Sequence, residues 1–115
     1  MGAKIANRDG HLSGTAAQGT GCELVLPIPS VGATENIMLF ATACSGTTTI
    51  VNAAREPEIV DLQAYMNAVG FDVSGAGTPV VRISGRRSAR LNGYVTHRVV
   101  PDRIAAATWM CAAAA

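Results

Sequence analysis

Aromatic residues are scarce in this chain. One Trp, two Tyr and two Phe make up 4% of 115 residues, although 49% of the chain is hydrophobic. The apolar mass is therefore Ala, Val, Ile, Leu and Met, which suits one tightly layered α/β or α+β domain with a modest core. Charge is equally thin. The net charge is +1, so no bulk field draws nucleic acid or an anionic membrane. Five of the nine basic residues do cluster late, at Arg82, Arg86, Arg87, Arg90 and Arg98. A single-strand binder interleaves aromatic side chains among its cations. None stands between Arg82 and Arg90, and the cluster reads as a solvated hairpin surface. No nucleic-acid partner and no membrane partner are expected.

Cysteine and histidine are few as well. Cys22, Cys44 and Cys111 are an odd number of widely spaced thiols that match no metal motif. An apolar signal region is missing, and the longest apolar stretch is too short to span a bilayer. The expected location is cytoplasmic, the compartment reducing and the thiols free. His11 and His97 have no carboxylate or cysteine at ligand spacing and read as surface residues. Neither a metal nor a cofactor is expected.

What the chain does have is punctuation. Residues 1–21 are Gly-rich and weakly patterned, an irregular lead-in with a short strand near Lys4–Ala6. "CELVLP" (22–27) is a strand stopped by Pro27 and Pro29. A helix from Val31 to Ser45 ends at Gly46, a natural residue just past a helix terminus. "TTTIVNA" (47–53) is β-branched and reads as a strand. "AREPEIVDLQAYMNAVG" (54–70) gives the clearest helix. Pro57 suits its first turn, Glu56 and Glu58 lie at its positive end, and Gly70 closes it. Ile59, Leu62, Met66 and Val69 share one face. "FDVSGAGTPVVRISG" (71–85) reads as a hairpin, "THRVV" (96–100) as a strand, and a helix follows Pro101.

The order is β-α-β-α-β-β, then β-α. Two features suggest incompleteness. In the first helix Ile37, Met38, Leu39, Phe40, Ala41, Ala43 and Cys44 wrap most of the circumference and need cover on all sides. The last helix runs to Ala115 with no glycine or polar cap. The expectation is a segment of a larger protein, or a subdomain that must associate.

"SVGATENIM", "NAAREPEIVDL" and "VVPDRI", in that order and spacing, resemble the UDP-N-acetylglucosamine enolpyruvyl transferase family of peptidoglycan synthesis. The resemblance covers about residues 10–115. It implies a fold class of α/β (α+β) type: one β-α-β-α-β-β repeat of an inside-out α/β barrel over residues 22–85, plus the start of the next unit. Residues 86–115 become a connecting strand and truncated helix at an interdomain boundary.

The same resemblance assigns the stretch Ile28, Pro29, Ser30, Val31 and Gly32 to contact with the UDP-sugar. The physics agrees, since a helix start offers free N–H groups and positive partial charge. Ser30 would cap the helix or bond a phosphate oxygen, and Gly32 would let a ligand approach the backbone. The plainer alternative is a simple N-cap and a packing glycine. Ile28 stands where the family often has lysine. Arg55, Glu56 and Glu58 match the family's "AREPE", and Asp102 and Arg103 its "PDRI", both placed where two domains meet around the substrate. Arg55 and Arg103 would position substrate or acidic partners, oriented by Glu56 and Asp102. A charged helix start with an interdomain salt bridge is the alternative. "AAATWM" departs from the family after "PDRI".

The implied reaction transfers enolpyruvyl from phosphoenolpyruvate to the sugar 3-hydroxyl and releases phosphate. Such addition and elimination needs a general acid, a base and cations. The family's acid is a cysteine followed by Arg-Pro. Cys22, Cys44 and Cys111 are followed by Glu23, Ser45 and Ala112, and none matches. No catalytic residue is expected here, only part of a substrate site. The implied partners are UDP-N-acetylglucosamine, phosphoenolpyruvate and the remainder of the transferase polypeptide. A free-standing structural or anion-binding module built on the same repeat is the other reading.

Overall fold

A computed structural model of the chain describes residues 1–16, 18–85 and 93–115. The elements are β1 (Lys4–Arg8), β2 (His11–Thr15), β3 (Glu23–Val25), α1 (Val31–Thr42), β4 (Gly46–Val51), α2 (Pro57–Val69), β5 (Asp72–Ser74), β6 (Val80–Gly85) and α3 (Arg103–Ala114). From β3 to β6 the order is the expected β-α-β-α-β-β. The strands form one sheet ordered β3-β4-β6-β5, with β3 parallel to β4 and the other pairs antiparallel.

Register explains the core. Ile50 pairs with Val81, and Val73 with Ile83, so these four side chains leave the sheet on one face. Met38 and Ala41 of α1 and Ile59 and Met66 of α2 close over that face, all almost fully buried. Leu62 and Val69 complete the α2 stripe as partly buried residues. Gly85 allows the end of β6 to pass the last carbonyls of α1, because a Cβ there would collide with the backbone of Ala41 and Cys44.

α2 carries its own fasteners. Pro57 opens it, and Gly70, with φ 115°, closes it in the left-handed conformation. The Asn67 side chain then receives the Val73 N–H (2.8 Å) and donates to the Val73 carbonyl (2.9 Å). It thus acts as a one-residue strand against β5. Gln63 accepts the Ala76 amide at 2.9 Å, tying the β5–β6 turn to the same helix.

Three expectations change. The lead-in is not irregular: β1 and β2 form an antiparallel hairpin. Asp9 (φ 51°) and Gly10 (φ 82°) turn it, and two positive φ values match the twist of a two-residue hairpin loop. Residues 96–100 join no strand among the described residues. α1 stops at Thr42 rather than Ser45. Ala43 and Cys44 close it with short turns onto Phe40 and Ala41, and Gly46 (φ 78°) opens β4 instead of capping the helix. As expected of a helix that needs cover on all sides, α1 is not fully covered by this chain, with Leu39 52% exposed. Of the basic cluster, Arg82 and Arg98 are exposed, and Arg86, Arg87 and Arg90 lie outside the described residues. Among the described residues no helix is long and apolar enough to cross a membrane.

One buried polar atom is unexplained by these contacts. Thr48 faces the core from β4 at 0% exposure, and its Oγ1 has no hydrogen-bond partner among the described residues. A buried hydroxyl without a partner costs about 1–3 kcal/mol. Thr48→Val keeps the shape and removes the hydroxyl. Its urea midpoint should rise by the equivalent of about 1 kcal/mol; a lower midpoint would show that the hydroxyl has a partner.

Candidate substrate site

The loop from β3 into α1 is held from below. The Leu26 amide donates to the Val51 carbonyl (2.9 Å), and Asn52 Nδ2 donates to the Leu26 carbonyl (2.9 Å). Asn52 itself adopts φ 60°, a conformation its short amide side chain tolerates. Ile28 and Pro29 follow, both exposed, and the Ile28 carbonyl accepts the Ser30 amide at 2.9 Å.

Ser30 is the N-cap of α1. Its Oγ accepts the Ala33 amide at 3.3 Å, and its carbonyl accepts both the Thr34 amide (3.0 Å) and Thr34 Oγ1 (2.8 Å). That leaves the amides of Val31 and Gly32 without an acceptor among the described residues. Gly32 faces open space, with no heavy atom within 4 Å of where a Cβ would stand. The first turn of α1 therefore offers two free N–H groups in an unobstructed position, at the positive end of a helix.

Thr34, fully buried, also accepts the Ala54 amide through Oγ1 at 3.1 Å. This ties the Ser30 turn to the loop that carries Arg55. The Arg55 side chain is exposed and makes no ion pair among the described residues. Glu56 does not reach that guanidinium; its Oε2 accepts the Arg55 backbone amide at 2.8 Å.

The second group of residues lies apart from this turn. Arg103 donates from Nε and a terminal nitrogen to the two oxygens of Glu58, at 3.3 and 3.0 Å. The acid that orients Arg103 is thus Glu58, and Asp102 instead caps α3 by accepting the Ile104 and Ala105 amides. The Arg103 fork holds the Glu58 carboxyl below the usual carboxylate value, and Glu58 holds the guanidinium up in turn. A lowered carboxylate pKa means that the pair's contribution is present above the ordinary value and lost as pH falls through the lowered one.

His97 is not a free surface residue. Its Nε2 lies 3.0 Å from Asp61 Oδ1, and its ring meets the Tyr65 ring edge-on at 5.5 Å. Both partners come from α2, 36 and 32 positions away, so no local spacing could have announced them. Glu58, Asp61, His97, Asp102 and Arg103 all line one groove of about 770 Å³ with Leu39, Tyr65 and Val99. Ile28–Gly32, Arg55 and Glu56 do not line it. The cysteines are free, Cys44 buried and Cys111 exposed, and burial pushes the Cys44 thiol up.

Comparison with known proteins bears on the family and the fold. The family model for EPSP synthase (3-phosphoshikimate 1-carboxyvinyltransferase) matches residues 1–115. The chain belongs to the EPSP synthase family. Within it, the chain is 50% identical to UDP-N-acetylglucosamine 1-carboxyvinyltransferase 1 of Carboxydothermus hydrogenoformans, covering 100% of this chain and 27% of that protein. The enzyme of the same name from Symbiobacterium thermophilum is 51% identical, with 99% and 25% covered. The crystal structure of the enolpyruvyl transferase NikO from Streptomyces tendae superposes with a TM-score of 0.77 at 26% identity, covering 96% of this chain and 28% of that one. The chain spans about a quarter of the length of these relatives. Its β-α-β-α-β-β unit is therefore one part of the EPSP synthase family fold.

Two substitutions probe the turn. Gly32 is helical and unobstructed, so Gly32→Ala should raise stability by about 0.5–1 kcal/mol, chiefly by restricting the unfolded chain. Thr34→Val strands the buried Ala54 amide and should lower stability by about 1–3 kcal/mol. Urea unfolding of both variants checks the pair, and equal effects would mean the Thr34 bridge is unimportant.

Proposed function

We propose that this chain is a segment of a transferase that moves enolpyruvyl from phosphoenolpyruvate to the 3-hydroxyl of UDP-N-acetylglucosamine, the first committed step of peptidoglycan synthesis, in the cytoplasm. The observation that carries the reading is the identity of about half the residues over the whole chain with enzymes bearing that substrate in their name. In this reading Ile28–Gly32 supplies part of the UDP-sugar site. The free amides of Val31 and Gly32 receive oxygens of the diphosphate, and Arg55, joined to the turn through Ala54 and Thr34, adds the nearby positive charge. Ile28 contributes apolar contact where a lysine would have added charge. Glu58, Asp102 and Arg103 act at the boundary with the rest of the polypeptide. The half-exposed Leu39, Val60 and Tyr65 support a remainder that packs against these helices.

Binding is tested in the polypeptide that contains this segment, by calorimetric titration of both ligands. Gly32→Val fills the approach to the helix start and should weaken UDP-N-acetylglucosamine binding by about 1–3 kcal/mol, as expected for one or two lost hydrogen bonds to charged oxygens. Phosphoenolpyruvate affinity should change little. Ser30→Ala should do less than Gly32→Val, because the backbone donors remain. Equal losses for both ligands, or a matching fall in melting temperature, would assign the turn to folding.

The 115-residue chain alone should release no phosphate from the two substrates above the enzyme-free blank. Such chemistry draws most of its rate from placed groups, an acid, a base and above all cations for the phosphate and carboxylate, and none of the three cysteines precedes Arg-Pro. Turnover that disappears on replacing Cys22, Cys44 or Cys111 would overturn this.

A further inference from the structure

The chain leaves β4 through a junction in which consecutive residues are each tied to another part of the fold. The Val51 carbonyl accepts the Leu26 amide (2.9 Å), and Asn52 Nδ2 donates to the Leu26 carbonyl (2.9 Å). The Ala53 amide donates to the Pro79 carbonyl (2.9 Å), and the Ala54 amide to Thr34 Oγ1 (3.1 Å). Ala53 and Ala54 are almost fully buried. Asn52 makes the bend between β4 and this buried pair, at φ 60°. Most L residues adopt that conformation only at a cost, and asparagine adopts it more readily.

Asn52 therefore acts in two directions at once. Its side chain and the Val51 carbonyl hold both polar groups of the Leu26 backbone, which fixes the peptide planes on either side of that residue. Pro27, Ile28 and Pro29 come next. They carry the orientation forward stiffly, because each proline ring locks φ at about −65°. Ser30 follows, and with it the unpaired amides of Val31 and Gly32. In the other direction the bend at Asn52 sets the course of Ala53 and Ala54, and Arg55 is the next residue.

We propose that Asn52 is a positioning residue of the UDP-sugar site: its left-handed bend and its bond to the Leu26 carbonyl hold the Ile28–Gly32 turn and the start of the Arg55 segment in one frame. It acts through Leu26 and not by contact with the ligand. The inference rests on the reading of Ile28–Gly32 as part of that site.

Asn52→Gly and Asn52→Ala separate positioning from folding. Glycine accepts φ 60° freely and removes only the side-chain amide, whereas alanine removes the amide and strains the bend. In the polypeptide that contains this segment, Asn52→Ala should melt lower than Asn52→Gly. Both should nevertheless weaken UDP-N-acetylglucosamine binding alike, by about three- to tenfold for one lost hydrogen bond. Phosphoenolpyruvate affinity should stay near wild type, and in turnover KM for the nucleotide sugar should rise while kcat holds. Without ligand, hydrogen exchange at the Leu26 and Ser30 amides should speed up in both variants. Unchanged exchange there in Asn52→Gly would sink the proposal whatever the ligand is. Binding losses that track melting temperature across the two variants would also sink it, because Asn52 would then serve the fold alone. Faster exchange with undiminished nucleotide-sugar binding overturns it too, and Gly32→Val then separates the causes. If Gly32→Val still weakens binding, the site reading stands and only the role of Asn52 falls; if it does not, the site reading has failed as well.

Discussion

The hydroxyl of Thr34 is the tie on which the candidate site depends. It donates to the Ser30 carbonyl and accepts the Ala54 amide, so one buried atom group fixes the start of α1 against the approach to α2. Everything proposed for the turn follows from that tie. The first two amides of α1 are left without an acceptor among the described residues, and Ala54, which precedes Arg55, is held to the same turn. Buried hydrogen-bonded hydroxyls of this sort are costly to lose, because their partners are left unsatisfied in a dry interior.

The two charged groups divide along the same line. Glu56 spends its carboxylate on the backbone of Arg55, and Asp102 spends its own on the start of α3. Neither orients a guanidinium. Glu58, in the first turn of α2, is the acid that crosses 45 positions to reach Arg103. Its place near the positive end of a helix favours the ionised form before Arg103 is considered.

Much of this was legible in local chemistry. Pro57 and Gly70 bracket α2 because each residue type suits one helix end, and the Ile59–Met66 stripe marks the buried face. The strings "SVGATENIM" and "NAAREPEIVDL" pointed to the family that the comparisons show. The hairpin at Asp9-Gly10 was also present as a local signal, a two-residue turn between short strands, and was obscured by the surrounding glycines. Residues 96–100 failed for a different reason. β-branched composition makes a strand possible, but a strand exists only where a neighbour offers its backbone groups. The Asp61–His97 contact was out of reach for a similar reason, since only the folded chain brings α2 and the residues before α3 together.

The four-stranded sheet has a further property at its margins. Its outer members, β3 and β5, are three residues long, while the inner strands β4 and β6 have six each. Short outer strands leave few unpaired amides and carbonyls for another chain to extend. Exposed apolar side chains stand on the helices at Leu39, Val60 and Trp109, on the hairpin at Ile5 and Leu12, and on β3 at Val25. Growth by strand addition to this sheet, the route toward fibres, is therefore limited by the length of its margins and not by any lack of apolar side chains there.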